Sequence, residues 1–208
     1  MTSRPGLRER KKERTRAPIV DAARTLFLDR GYDATTVQDI AEAADVSPGT
    51  VFGYFPAKSD IFFAGYDELV DDFVAWLESR PAGTSAIESA AAWDATVAAR
   101  MKKAPRSPDL IWRRRSRAIA DASPTLSALE RQRYMRAEDA LARAVAVDLG
   151  DEPDAVRPRL IAAMREGLAF ATARLDSAGT DESARAYMGA CFLAAAQAIA
   201  AVPPPQTR

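Results

Sequence analysis

Val46-Ser47-Pro48-Gly49-Thr50-Val51-Phe52-Gly53-Tyr54-Phe55-Pro56 is a short helix with its start and stop written into the residues. Ser47 is a good N-cap, because its hydroxyl can accept an otherwise unpaired N–H of the first turn. Pro48 suits the first helical position, where no N–H is needed. Val46 before the cap and Val51 at the fourth helical position can form a hydrophobic staple. Pro56 ends the helix after two turns. With Val46, Val51 and Phe55 turned inward, Thr50, Gly53 and Tyr54 fall on the opposite face at three- and four-residue spacing. A hydroxyl, bare backbone and a phenol are poor core material. They suit a DNA surface, since threonine can contact a base or a phosphate and a tyrosine hydroxyl can reach a phosphate.

Just upstream, Val37, Ile40, Ala41 and Ala44 form an i, i+3, i+4, i+7 stripe on another short helix. Two capping boxes fit its start, Thr36 with Asp39 or Thr35 with Gln38, and spacing does not choose between them. The tight Asp45-Val46 connection joins this helix to the next, and Ala41 is small where the two must approach. A bracing helix over 17–30 precedes them, with Ile19 or Val20, Ala23 and Phe27 at helical spacing and Gly31 as its stop. Three such helices make a helix-turn-helix, a major-groove reader. Residues 1–14 lack apolar periodicity and read as a flexible arm.

The remaining chain is helix after helix. One is expected over 58–79, then others over 84–103, 108–121, 124–149, 154–177 and 180–201, punctuated by Pro105, Pro108, Pro124, Gly150, Pro153 and Gly179. Pro158 must kink its helix or mark the true first turn. The fold class is therefore all-α, with an N-terminal three-helix helix-turn-helix domain followed by a helical ligand-binding and dimerisation domain. The expected division is a basic arm over 1–16, a DNA-binding domain over 17–58 and an effector-binding and dimerisation domain over 59–208.

Composition narrows the chemistry. Among 208 residues there is no histidine, which removes Ser-His-Asp and Cys-His catalysis and most zinc sites. With no glycine-rich phosphate loop or clustered acid pair either, an enzyme is not expected, nor a cofactor or a metal. Cys191, the single cysteine, lies in an apolar helical run and reads as a small core residue, with a redox or covalent sensor as the sharper alternative. Net charge is zero but unevenly spread: Arg4, Arg8, Arg10, Lys11, Lys12, Arg14 and Arg16 face only Glu9 and Glu13 in the first 16 residues. A basic arm on an acidic body suits a polyanion bound at one end, although a merely solvated tail looks similar. No signal peptide or membrane span is read, so a cytoplasmic protein without a membrane partner is expected.

The stretch from Ile19 to Phe62 resembles the DNA-binding domain of the TetR family of bacterial regulators. The matching pieces are Ala22-Ala23-Arg24-Thr25-Leu26-Phe27, Arg30-Gly31-Tyr32, Thr35-Thr36-Val37-Gln38-Asp39-Ile40-Ala41 and Val46 through Lys58. The resemblance implies DNA contacts from Gln38, Gly49, Thr50, Phe52, Tyr54 and Lys58. Gly53 joins them on the outward face, as a point of close approach to DNA or a simply tolerated residue. Three residues depart from the family pattern. Phe52 stands where a tyrosine is usual and loses a phosphate hydrogen bond, Tyr54 replaces a histidine, and Ala57 replaces a serine, which shifts the next cap towards Ser59. Each contact has a plainer reading: Thr50 satisfying the first turn, Tyr54 packing its ring, Gln38 serving the cap, Lys58 as an unengaged surface lysine.

For the rest of the chain, Met164, Leu168 and Ala171 form one stripe, and Ala184, Tyr187, Met188, Cys191, Ala195 and Ala198 another. A last helix apolar nearly all round must be buried. The resemblance implies a homodimer through a four-helix bundle of C-terminal helices, although an intramolecular core would leave the same stripe. Trp76, Trp93, Met101, Trp112, Tyr134 and Phe170 are candidates to line an apolar effector pocket, or are core filler. Arg113, Arg114, Arg115 and Arg117 form a basic cluster that is either a solvated face or a site for an acidic ligand. The expected function is a repressor that binds palindromic double-stranded DNA as a dimer and is released by a small, apolar effector. The alternative is an activator or DNA binder without an effector.

Overall fold

The computed structural model describes residues 7–104, 107–177 and 182–203, with the side chains of 7–13, 109–110, 173–177, 182–186 and 188 outside the description. All regular structure among the described residues is helical: α1 Leu7–Arg30, α2 Val37–Ala43, α3 Pro48–Tyr54, α4 Lys58–Phe62, α5 Ala64–Glu78, α6 Ala86–Lys103, α7 Pro108–Ala122, α8 Pro124–Leu149, α9 Val156–Ser177 and α10 Glu182–Ala201. The chain packs as two compact units. One holds the chain up to Tyr66 with Ala118–Ser127; the other holds Asp67–Arg117 and the chain from Ala128 onward. No described helix is long and apolar enough to cross a membrane.

In the first unit, α1 packs on α2 and α4, and α2 on α3. α1 starts at Leu7, ten residues before the expected start, so residues 7–16 are helical and not an irregular arm. Apolar periodicity reports which face is buried. The Leu, Arg, Glu and Lys of 7–14 are strong helix formers without it. Gly31 ends α1 at φ +84°, where a side chain would be strained, and its N–H still reaches Phe27 O at 3.1 Å. The core gathers Ile19, Ala23, Phe27, Ile40, Val51 and Phe55, all at most 4% exposed. Phe27, Tyr32 and Phe62 close it as an aromatic triad with centroids 5.3 to 5.6 Å apart.

The start of α2 is settled in favour of Thr36. Its hydroxyl accepts the Asp39 N–H at 3.1 Å, and the Asp39 carboxylate accepts the Thr36 N–H at 2.8 Å. The Thr36 hydroxyl also donates to that carboxylate at 2.6 Å, and this bond and the Thr36 N–H, aided by Arg30, hold the Asp39 carboxyl below the usual carboxylate range. The single helix expected over 58–79 is two, broken at Phe63. Nor does its cap shift to Ser59. Ala57 is the N-cap, and the missing hydroxyl is replaced from the other side, where the Asp60 carboxylate accepts the Ala57 N–H at 2.9 Å.

In the second unit, α10 lies against α6 and α9, and Phe73, Leu77, Leu141, Val145, Ile161, Phe192 and Ala196 are buried. The Asp148 carboxylate of α8 takes Arg80 at 2.8 Å and the Ala86 N–H at the start of α6. Arg157 forks onto Asp151 and donates to the carbonyls of Ala200 and Val202, fixing the end of α10 to the start of α9. Pro158 sits in the first turn of α9, where the missing N–H costs no helical bond.

A polar contact joins the start of α4 to the turn before α2. Lys58 Nζ donates to Tyr32 O and Thr35 O, both at 2.7 Å, and lies 4.2 Å from the Tyr32 ring centroid. Partial burial pulls the Lys58 pKa below its ordinary value, with Asp33 opposing. Lys58→Met keeps the stem but leaves both carbonyls without their charged donor. A loss of about 2 kcal/mol is expected, read as roughly 30-fold faster amide exchange across α2 and α3.

Candidate functional site

The turn before α3 sets up the reading face. Asp45 takes φ +53°, a left-handed conformation that aspartate tolerates better than most residues, and Val46 N–H returns to Ala41 O at 2.9 Å. Ser47 then caps α3 as its sequence demands, its Oγ accepting the Thr50 N–H at 3.1 Å. Val51 is fully buried beneath it, and Phe55 is held at 4% exposure with the Arg16 guanidinium 5.1 Å above its ring.

The face turned to solvent holds Gly49, Phe52 and Gly53, with Thr50 and Tyr54 half-buried beside them. Phe52 is 53% exposed. The Thr50 hydroxyl is 2.8 Å from Ser47 Oγ, so it is held at a defined position above the first turn. Gln38 is exposed on α2 and takes no part in the cap, which uses Asp39. Lys58 is placed differently from the other candidates: its ammonium is spent on the 32–35 turn, so it is neither an unengaged surface lysine nor aimed only outward. α3 carries no charged residue.

Of the six candidate effector residues, two share a groove. Trp76 and Trp93 pair at 5.7 Å between α5 and α6, where Trp76 Nε1 donates to Ser89 O at 2.9 Å. Both line an open groove of about 440 Å³ that also takes in Asp72, Thr96 and Arg100. Tyr134 and Phe170 pair edge-on at 5.7 Å on α8 and α9. Trp112 is buried on α7 and Met101 half-buried on α6.

Charged groups are buried beside these aromatics. Arg165 forks onto Asp94 at 2.7 and 3.3 Å, bonds Glu166, and lies 3.8 Å from the Phe73 centroid. Arg117 pairs with Glu130 at 2.6 Å and sits 5.2 Å from the Phe170 centroid, so it is not part of a solvated basic face. Arg114 and Arg115 are exposed. Burial raises the pKa of the Tyr134 hydroxyl, with Glu130 and Glu166 adding to it. Burial likewise raises that of Glu166, against the pull of Arg165. The signal was present in the sequence: Arg165 and Glu166 stand four residues after the buried Ile161 and Ala162, at inward helical positions.

On α9 and α10, Met164, Leu168, Ala171 and Ala195 are half-buried, Tyr187 is 71% exposed, and the side chain of Met188 lies outside the described residues. Cys191 is exposed, not a core residue, because α10 turns Phe192 and Ala196 inward. The exposed face of α9 is one register away from the stripe first picked out: Val156, Leu160, Ala163 and Gly167. On α10 the exposed residues include Tyr187, Gly189, Ala190, Cys191, Ala194, Gln197 and Ala198.

Asp94→Ala leaves the buried Arg165 with Glu166 alone and is expected to cost on the order of 2–3 kcal/mol. Glu166→Gln removes the less favourable charge and is expected to change stability by under about 1 kcal/mol at pH 7. Glu166 binds its proton more tightly folded than unfolded. Stability therefore falls as pH rises from the ordinary glutamate range through the raised folded value, and the Gln variant lacks this slope. Urea unfolding at pH 5 and 7, followed by tryptophan fluorescence, measures both effects, since Trp76, Trp93 and Trp112 all lie in this unit.

Comparison with known proteins agrees with this architecture. Residues 19–64 match the family described as bacterial regulatory proteins, tetR family. The HTH-type transcriptional regulator TcmR of Streptomyces glaucescens is 35% identical over 162 residues, 77% of this chain and 72% of that one. The HTH-type transcriptional repressor KstR2 of Mycolicibacterium smegmatis is 37% identical over 65 residues, 31% of this chain and 30% of that one. Among solved structures, a TetR-family regulator from Streptomyces coelicolor shares the fold with a TM-score of 0.59 at 22% identity, over 97% of this chain and 100% of that one. The SmeT–triclosan complex does so with a TM-score of 0.59 at 20% identity, over 93% and 99%. The chain thus belongs to the tetR family of bacterial regulatory proteins, and is a helix-turn-helix transcription regulator, not an enzyme.

Proposed function

We propose that this regulator is a ligand-responsive repressor that binds a palindromic operator as a homodimer and leaves it when a small, largely apolar effector binds the helical domain. The observation that carries the reading is the solvent-facing surface of α3, capped at Ser47 and free of charge, in a unit whose α1 begins in basic residues. Gln38, Gly49, Thr50, Phe52, Gly53 and Tyr54 supply register and base contacts. Lys58 positions the turn and reaches a phosphate only at its margin. Affinity then rests largely on the basic residues of 1–16, so binding is steeply salt-dependent. Residues 17–58 are the DNA-binding head in this reading, and 59–208 the effector-binding and dimerisation body.

The effector reading is supported by the aromatic pairs in the helical unit and by a fold neighbour whose structure is a complex with triclosan. An effector releases DNA by favouring a form of the dimer in which the two heads no longer match the operator. The repressor sign is supported by the name of the relative KstR2.

In gel-shift titrations the chain is expected to prefer the region upstream of its own gene over random DNA. Combined Thr50→Ala and Tyr54→Ala should weaken that binding about 30-fold or more, at unchanged far-UV dichroism. Unchanged affinity removes these residues from the site. Dimerisation is checked separately by sedimentation. Leu160→Glu with Cys191→Glu puts charge on the exposed α9–α10 face and is expected to return the assembly to the 22.5 kDa of one chain. A monomeric unaltered chain would overturn the dimer.

A further inference from the structure

Two features of the reading face are not required by the protein itself. Gly53 lies inside α3 with no positive φ, and a Cβ built there meets nothing within 4 Å. Alanine would fit and is the better helix former, in a helix of only seven residues. Gly49 is similar: its Cβ would meet only Ser47 Oγ, at an ordinary 3.8 Å. Beside Gly53, Phe52 leaves 53% of its surface in water at a position where a polar residue would be better solvated. Neither internal packing nor backbone geometry explains a bare backbone next to a presented phenyl ring on one helix face.

DNA chemistry explains both together. In the major groove the apolar feature of the base edges is the thymine C5-methyl group, and a phenyl ring has no hydrogen bond to offer a phosphate. We propose that Phe52 reads a thymine methyl in each half-site, and that Gly53 lets the backbone of α3 come close enough to seat the ring. This makes Phe52 and Gly53 a specificity-determining pair, and it rests on the reading of α3 as the DNA-contacting helix. The base contact is apolar, so its loss changes sequence preference without changing the salt dependence of binding.

The test uses the full chain and its operator duplex, with each thymine replaced in turn by deoxyuridine. The replacement keeps every hydrogen-bonding group and removes only the methyl. One position per half-site is expected to lose about four-fold in affinity when substituted, and roughly 15-fold when both half-sites are. Phe52→Ala should bind thymine and uracil equally there, and Phe52→Leu should retain part of the discrimination. Gly53→Ala should melt no lower than the unaltered chain yet bind the operator at least ten-fold more weakly. A flat thymine–uracil scan with operator binding intact, or Gly53→Ala binding as tightly as the unaltered chain, overturns this proposal alone. Failure of the unaltered chain to bind any upstream duplex overturns the DNA-binding reading beneath it.

Discussion

The reading head depends on a bond between residues far apart in sequence. Lys58 reaches back 26 and 23 residues to the carbonyls of Tyr32 and Thr35, and so closes a ring of chain that contains all of α2 and α3. Neither helix exceeds seven residues, far below the length at which a helix holds itself in water. Each is therefore held by what surrounds it: caps at Thr36 and Ser47, the buried Ile40 and Val51, and the ammonium that joins the two ends of the loop. The bond also ties α3 to the stability of the unit, since Lys58 follows the end of that helix by only four residues.

This head was legible in the sequence because its signals are local. A cap, a proline and a staple act within a few residues, and the α3 boundaries follow from them. The α2 register stayed open because two capping boxes one residue apart are equally good locally, and only the Asp39 carboxylate position distinguishes them. The role of Lys58 was not legible, since its partners are backbone carbonyls, which every residue has. The early start of α1 was missed for a different reason. Helix formers with no buried face leave no periodic trace.

The helical unit was read less well, and the reason is chemical. Helices apolar on several sides do not declare which side faces inward. Cys191 was assigned to the core although Phe192, its neighbour, is the residue that turns in. The exposed α9 face lies one register from the stripe that seemed most apolar, because Met164 and Leu168 are drawn partly inside while Leu160 is not. Charges inside the unit were missed because arginine and glutamate are ordinarily solvated. Arg165 and Arg117 are affordable there only because carboxylates and aromatic faces meet them. Such pairs favour one arrangement of neighbouring helices over others, since a slipped helix would strand a charge.

Ala118–Ser127, at the corner between α7 and α8, packs with the first unit although it lies some fifty residues beyond that unit's other segment. The first packing unit is therefore not a contiguous stretch of gene. A recombination event that exchanged only the chain before residue 67 would split a packing unit and give Leu126, fully buried here, a foreign neighbour. Transplanting that unit intact requires two segments to move together, and the intervening helices of the second unit must stay behind.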